Sequence, residues 1–138
     1  MARILFVDDD QVEQLFAREV LAVHGHEMVC ARDGEEALEV YLTEGMYIDA
    51  VVTDLAMPRL NGLRLIEALR EIDPNVLILA ASGRNADQLD LAENAGVSAV
   101  FYKPWDPARF LATLERLLEN EAEEARAIPD WSFRKASA

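Results

Sequence analysis

Residues 4–10, Ile4-Leu5-Phe6-Val7-Asp8-Asp9-Asp10, join four consecutive apolar side chains directly to three carboxylates. A short apolar run that is bounded by polar residues is typical of a strand buried on both faces, as strands of parallel sheets are. Three later apolar runs also end directly at a polar residue, and these residues are Asp54, Ser82 and Lys103. Chemically active side chains therefore stand at the ends of the apolar runs, and this position decides both the fold and the site that we predict.

Amphipathic segments separate the apolar runs. In the first segment, helical spacing relates Val12, Leu15, Phe16, Val20 and Val23, and Gly25 follows as a C-terminal stop. With a weaker apolar run at residues 28–31, we predict five strands alternating with five helices. This alternation indicates an α/β fold with a doubly wound parallel sheet that is covered by helices on both faces. The predicted strands are residues 4–7, 28–31, 50–53, 76–81 and 99–102.

The residues that follow the strands predict one shared site. In an open parallel sheet, the carboxyl ends of the strands share one edge, and ligands bind there. If the strand order is 2-1-3-4-5, Asp9 and Asp54 face each other, Ser82 lies alongside, and Lys103 reaches in. Carboxylates in one pocket repel one another unless a cation is present, and oxygen-only ligands favour Mg²⁺. Because an aspartate can attack phosphorus while cationic groups neutralise the phosphoryl oxygens, the set favours phosphoryl acceptance over acyl or hydride chemistry.

The composition narrows the function classes. The chain has 138 residues, with 26 acidic and 13 basic side chains and a formal charge of −13, which suits one globular domain. This charge argues against nucleic-acid binding and favours a cation site or a basic partner. No apolar run approaches the roughly 20 residues of a membrane-spanning helix, and the N-terminus does not have the pattern of a signal peptide. The single cysteine, Cys30, predicts a reducing, cytoplasmic setting.

Five short motifs together resemble the response-regulator receiver domain of two-component signalling. They are Val7-Asp8-Asp9, Asp54-Leu55-Ala56-Met57-Pro58, Asn61-Gly62, Ser82-Gly83 and Lys103-Pro104. The resemblance covers roughly residues 2–120 and implies a flavodoxin-like (βα)₅ fold with strand order 2-1-3-4-5. It divides the chain into a receiver domain at 1–120 and, at 121–138, an extension of the last helix with a C-terminal tail.

The resemblance also implies roles for individual residues. Asp54 is the phosphoacceptor, and it takes its phosphoryl group from a histidine kinase or a histidine phosphotransfer protein. Ser82 contacts a phosphoryl oxygen, and Lys103 pairs with it. The implied Mg²⁺ ligands are Asp9, Asp54 and the backbone carbonyl of Ala56, with Asp8 acting through a metal-bound water. Since no output domain fits after residue 120, the expected output is a phosphorylation-dependent contact with an unknown downstream protein.

Three positions depart from the family pattern. Receiver domains usually carry Tyr or Phe three residues before the lysine, where this chain has Val100. Strand alternation puts Tyr102 on the same face, so Tyr102 is the candidate substitute for that ring. Ala56 has no polar side chain to orient an attacking water, and Arg84 can cover the site. We therefore expect the phosphoryl group to have a longer lifetime than in receivers with a polar residue at the first position, and Ala56→Asn should shorten that lifetime.

An enzymatic alternative uses the same first motif. Asp8-Asp9-Asp10-Gln11-Val12 also matches the D-x-D-x-[T/V] signature of haloacid-dehalogenase-type phosphatases, with Asp8 as nucleophile and Asp10 as general acid. The simpler interpretation of Asp10 is a helix cap that forms a capping-box-like pair with Glu13. A third hypothesis is a degenerate receiver that only binds partners, but the complete acidic, hydroxyl and lysine set counts against it.

Four further residues carry weaker signals. His24 and His26 flank a glycine and are interpreted as surface residues in preference to a metal pair. Trp131 and Phe133 lie outside the predicted core, where they belong either to a loose end or to a segment that docks on the receiver or on a partner.

Overall fold

Five parallel strands form a single sheet in the order β2-β1-β3-β4-β5. This computed structural model describes residues 1–55, 61–83 and 86–127, without the side chains of residues 86–89 and 125–127. The strands are β1 (Arg3–Val7), β2 (Glu27–Ala31), β3 (Ala50–Asp54), β4 (Leu77–Ser82) and β5 (Ala99–Tyr102). The helices are α1 (Gln11–Ala22), α2 (Gly34–Glu44), α3 (Gly62–Ile72), α4 (Ala86–Asn94) and α5 (Pro107–Ala127), with a 3₁₀ turn at Gly45–Tyr47. The predicted α/β class and strand order are confirmed.

Strand alternation sorts the core into two layers, one on each face of the sheet. Leu5 and Val7 of β1 point into the layer that α2, α3 and α4 cover, whereas Ile4 and Phe6 point into the layer that α1 and α5 cover. All four side chains are at most 1% exposed, and each contributes roughly 1.5–3 kcal/mol through burial. The continuous apolar run at residues 4–7 is therefore a strand with two buried faces.

None of the helices in the described part of the chain is both long enough and apolar enough to cross a bilayer.

Polar caps fix where three of the helices begin, close to the carboxyl edge of the sheet. Asp10 accepts hydrogen bonds from the backbone N–H groups of Val12 and Glu13, Asp33 accepts one from Glu36, and Asn61 accepts one from Arg64. Each cap stabilises its helix by about 1 kcal/mol because it satisfies amides that have no partner within the helix. The caps thus hold the first turns of α1, α2 and α3 beside the residues that leave the strands.

Gly62 lets the first turn of α3 lie directly against the end of β3. Its N–H donates to the carbonyl of Leu55 over 3.2 Å. A Cβ at this position would lie 2.7 Å from the Cα of Leu55 and closer still to the carbonyl oxygen of Asp54. Both obstacles are backbone atoms of the segment that carries Asp54, so they cannot move aside without displacing that residue.

We expect Gly62→Ala to lower the free energy of unfolding by about 1–3 kcal/mol, the usual cost of overpacking, although alanine is the better helix former. Urea denaturation measures the change. Gly83→Ala is the matched control, because its Cβ would meet nothing nearer than the Cβ of Lys103 at 3.7 Å. Equal stability of the two variants would contradict the argument.

Candidate functional site

The candidate site lies at the carboxyl edge of the sheet, where four strands deliver their polar residues. Asp8 follows β1, Asp54 ends β3, Ser82 ends β4, and Lys103 follows β5. Asp54 pairs with Ala81, so the ends of β3 and β4 lie level. The N–H of Lys103 donates to the carbonyl of Ser82 over 3.0 Å, which ties the exit of β5 to the exit of β4.

Lys103 is the centre of the site's electrostatics. Its Nζ lies 2.9 Å from Oδ2 of Asp8, 3.5 Å from Oδ2 of Asp54 and 3.7 Å from Oε1 of Glu13. The Lys103 side chain is only 16% exposed. Burial lowers the pKa of this ammonium group, but the hydrogen bond and charge of Asp8 and the charges of Asp54 and Glu13 outweigh burial and raise the pKa above its ordinary value. Lys103 therefore stays cationic and balances part of the negative charge around it.

Asp8 is held on all sides. It is 1% exposed, and its Oδ2 accepts a hydrogen bond from Nζ of Lys103. Its Oδ1 accepts one from the N–H of Asp10 over 3.0 Å, and its carbonyl accepts one from Nε2 of Gln14 over 2.6 Å. Burial of a carboxylate is costly unless hydrogen bonds and a cation compensate for the lost water. Asp8 is consequently a fixed carboxylate whose two oxygens are both engaged.

Three of the acids form a group that fits a divalent cation. Asp8, Asp9 and Asp54 each offer a carboxylate oxygen, and these oxygens all lie within 4.8 Å of one another. Asp8 is buried, Asp54 is half-buried and Asp9 is exposed, so the group opens toward solvent. An oxygen-only donor set with an open side suits Mg²⁺, which retains water ligands. The convergence that was expected for Asp9 and Asp54 is thus present in the structure.

Asp54 and Ser82 are positioned by the strands that carry them. Thr53, which is fully buried, donates its hydroxyl to the carbonyl of Asp54 over 2.9 Å, and the N–H of Leu55 donates to the carbonyl of Ala81 over 3.0 Å. Ser82 is 2% exposed at the end of β4. Both residues are therefore set by sheet hydrogen bonds and by burial, which limits their freedom before any ligand binds.

Glu13 is a site residue that the sequence analysis assigned differently. Asp10 caps α1 as predicted, but its N–H donates to Asp8, so Glu13 does not complete the expected pair. The carboxylate of Glu13 lies near Lys103 instead. A buried ammonium group is a stronger partner for a carboxylate than a backbone amide. The signal that could have revealed Glu13 is its place in the first turn of a helix that begins at the acidic edge.

Strand β5 carries Val100, which departs from the family pattern, and Tyr102, the candidate substitute for the missing ring. Val100 is half-buried and packs against the layer that α2, α3 and α4 cover. Tyr102 is 65% exposed and borders an open groove with Val100 and Pro104. Its ring therefore lies outside the core in this structure, and its proposed role as a substitute ring stays a prediction. Ala56, Arg84, Trp131 and Phe133 lie outside the described residues.

His24 and His26, which follow the C-terminal end of α1, both contact Glu115 of α5. Nδ1 of His24 lies 2.8 Å from Oε1 of Glu115, and Nε2 of His26 lies 2.9 Å from Oε2. The surface prediction holds for His24 but is wrong for His26, whose side chain is 6% exposed because it lies under Glu115. Nδ1 of His26 accepts a hydrogen bond from the N–H of Ala2, so the N–H of the ring is at Nε2, where it donates to the carboxylate of Glu115. A metal ion at Nε2 would have to displace that proton, so these contacts favour hydrogen bonding over metal binding.

A family model for the response regulator receiver domain matches residues 4–115. The chain belongs to the response regulator receiver family. Chemotaxis protein CheY of Thermotoga maritima is 30% identical over 118 residues, which cover 83% of this chain and 96% of CheY. Response regulator MprA of Mycolicibacterium vanbaalenii is 35% identical over 137 residues, which cover 99% of this chain and 56% of MprA. This receiver chain thus spans about half the length of MprA.

A solved structure shares the fold of this receiver domain. The crystal structure of a response regulator receiver domain protein from Clostridium thermocellum superposes with a TM-score of 0.84 at 24% identity, covering 88% of this chain and 98% of that chain. The predicted flavodoxin-like receiver fold is confirmed by this match together with the strand order.

We expect Lys103→Met to lower the free energy of unfolding by about 3 kcal/mol, because it leaves the buried Asp8 carboxylate without its cation. Mg²⁺ should recover more stability in this variant than in the unmodified chain, since the variant's acids have lost their internal counter-charge. Thermal unfolding with and without Mg²⁺ measures both effects. The control is Arg32→Met, which removes a 72% exposed partner of Glu36 and should cost about 0.5 kcal/mol or less. Equal losses in the two variants would refute the central role of Lys103.

We expect the stabilising effect of the Glu115 carboxylate to depend on pH. The hydrogen bond from His26 lowers the pKa of Glu115; burial opposes this, and His24 adds to the lowering. A lowered carboxyl pKa stabilises the fold above the ordinary value of ~4.3, and this stabilisation is lost as pH falls through the lowered pKa. The stability difference between the unmodified chain and Glu115→Gln should therefore shrink as pH falls below about 4.3 in urea titrations. Glu119→Gln, an exposed change on the same helix, is the control, and a difference that grows below about pH 4.3 would contradict the assignment.

Proposed function

We propose that this receiver domain is a phosphoacceptor that takes a phosphoryl group onto Asp54 from a histidine kinase or a histidine phosphotransfer protein. The observation that carries the proposal is the contact of one buried ammonium group, that of Lys103, with the carboxylates of both Asp8 and Asp54. Such an arrangement supplies the fixed positive charge that phosphoryl transfer requires beside its acceptor. Membership of the receiver family supports the same two-component role.

The acidic group fits the Mg²⁺ that receiver domains generally bind. We propose that Asp9 and Asp54 bind the ion directly together with the carbonyl of Ala56, and that Asp8 acts through a metal-bound water. When bound, the ion neutralises charge on the phosphoryl oxygens and on the acids. The contacts of Asp8 with Lys103 and with the N–H of Asp10 hold its carboxylate in place at the edge of this group.

The proposed transfer is a single displacement at phosphorus. A carboxylate oxygen of Asp54 forms a bond to phosphorus while the bond from phosphorus to the donor's imidazole nitrogen breaks, and that nitrogen keeps the electron pair. Lys103 stays protonated and pairs with a phosphoryl oxygen, since its surroundings raise its pKa. Ser82 ends β4, beside the end of β3 that carries Asp54, and we propose that its hydroxyl donates to another phosphoryl oxygen. Because the acceptor is consumed, the chain is a regulator and not a turnover enzyme.

The phosphatase alternative is less well supported by the site. It needs Asp8 as a nucleophile, but both oxygens of Asp8 accept hydrogen bonds and the residue is 1% exposed. It also needs Asp10 as a general acid, but Oδ1 of Asp10 already accepts two backbone hydrogen bonds as the cap of α1. The side chain of Asp54 is 10% exposed and that of Asp8 is 2% exposed, so Asp54 is the more accessible of the two candidate nucleophiles.

Signalling is proposed to follow from a phosphorylation-dependent contact with an unidentified downstream protein. A phosphoryl group shifts the protein toward whichever conformation binds it better, and the partner must distinguish the two conformations. The net charge of −13 does not favour a nucleic-acid partner. We place this activity in the cytoplasm, because the single Cys30 suits a reducing compartment.

We expect incubation with a small phosphodonor, such as acetyl phosphate, and Mg²⁺ to add one phosphoryl group to Asp54. Reduction of the acyl phosphate with borohydride followed by peptide mass mapping identifies the modified residue. Asp54→Asn should abolish the modification because the amide is not a nucleophile. Chelation of divalent cations should slow the reaction strongly, since the acids then repel the incoming phosphate.

The controls separate the two mechanisms. Asp90→Asn, an exposed change on α4, should leave the modification unchanged. Hydrolysis of a phosphate ester that survives Asp54→Asn and is lost in Asp8→Asn would overturn the phosphoacceptor proposal in favour of the phosphatase.

A further inference from the structure

An apolar groove lies between the C-terminal ends of α2 and α3, at the end of the sheet opposite the acidic site. We call it the α2–α3 groove; it is open to solvent and has a volume of about 340 Å³. Its lining residues are Tyr41, Leu42, Thr43, Gly45, Met46, Ile72 and Asp73. Leu42 is 69% exposed, Met46 is 85% exposed and Ile72 is 44% exposed. Three adjacent large apolar side chains in water suggest a surface that another segment covers.

The C-terminal half of α5 leads to this groove. Glu121 of α5 is close enough to Asp49 and Asp73 that, after burial, their charges are the main causes that raise its pKa. Tyr41, which lines the groove, donates its hydroxyl to Asp73 over 3.1 Å; burial, followed by the charge of Asp73, raises the pKa of Tyr41 to about 12. The charge of Glu121 also raises the pKa of Tyr41. Glu121 therefore lies within electrostatic range of Asp73 at the border of the groove, and α5 ends at Ala127, about 9 Å further along its axis.

The sequence after α5 matches this surface chemically. The C-terminal segment, residues 128–138, reads IPDWSFRKASA. It contains the large apolar residues Ile128, Trp131 and Phe133 and two basic residues against one acidic residue, in a chain whose net charge is −13. Eleven extended residues can reach about 35 Å, which is ample for a groove beside the helix end. An aromatic and basic segment thus leaves the helix beside an apolar groove with an acidic border.

We propose that the C-terminal segment docks in the α2–α3 groove of its own chain. In the docked state, the rings of Trp131 and Phe133 cover the exposed apolar side chains of the groove. Arg134 and Lys135 lie beside the carboxylates at its border. This interaction concerns the end of the molecule remote from Asp54, and it does not depend on the proposed phosphoacceptor function.

Tethering favours the chain's own segment over a separate partner. A stable interface between two proteins buries about 800 Å² on each side, which this groove does not offer by itself. A segment joined to α5 is present at an effective concentration in the millimolar range, so even a weak contact is populated. Burial of one tryptophan ring and one phenylalanine ring supplies such a contact.

The test uses the full chain labelled with 5-fluorotryptophan and observed by ¹⁹F NMR. The chain has two tryptophans, and Trp131→Phe assigns their signals. The shift between H₂O and D₂O reports the solvent exposure of each ring. Trp105, which is half-buried, is the internal reference. We expect a solvent-isotope shift for Trp131 that is well below that of a free tryptophan and close to that of Trp105.

The double variant Leu42→Gln/Met46→Gln should restore the full solvent-isotope shift of Trp131, because it removes the apolar surface and adds no charge. Val12→Gln/Val23→Gln is the matched control: Val12 on α1 is 74% exposed and Val23, directly after α1, is 75% exposed, so the change is again from apolar to amide and the groove is intact. Arg134→Glu/Lys135→Glu should raise the Trp131 shift at low salt, where the acidic border acts most strongly.

Three results would overturn the proposal. The first is a fully exposed Trp131 in the unmodified chain. The second is a protected Trp131 that responds equally to the groove variant and to the α1 control. The third is protection that disappears on dilution together with a halving of the molar mass in light scattering, which would assign the groove to the segment of a second copy.

Discussion

The ion contacts of Lys103 with Asp8 and Asp54 are the constraint on which the acidic edge depends. Three carboxylates crowd one end of a parallel sheet, and without an internal cation their mutual repulsion would oppose folding. The ammonium group arrives from the fifth strand, 95 residues after Asp8 in the chain. The strand order that brings β1 and β3 together and the backbone bond that links the ends of β4 and β5 both serve this meeting. Fold and site are therefore stabilised by the same contacts.

Most of the architecture could be predicted because its signals are local. The continuous apolar run at residues 4–7 specifies a strand buried on both faces, and helical spacing specifies α1. The acidic edge followed from one rule, that parallel strands end together. Helix α5 reaches Ala127, which agrees with the expected extension of the last helix beyond residue 120; its last turns are rich in glutamate and alanine, which favour a helix without an apolar stripe.

The two residues whose surroundings were predicted wrongly depend on contacts between distant segments. Glu13 fits a capping pattern in the sequence, but its partner Lys103 follows β5. His26 lies between Gly25 and Glu27, yet its ring is buried because α5 places Glu115 over it and Ala2 supplies a hydrogen bond. Sequence spacing carries no information on either event. In both cases a long-range electrostatic partner outweighed the local preference.

The separation of Asp8 and Lys103 along the chain has a consequence for incomplete structures. Strand β5 lies at the edge of the sheet beside β4, and Lys103 directly follows it. A chain in which β5 had detached would keep Asp8 and Asp54 on adjacent strands but would lose the hydrogen bond that holds the ammonium group beside them. The balance of charge at the acidic edge is therefore a property of the complete sheet, and loss of a single edge strand would remove it.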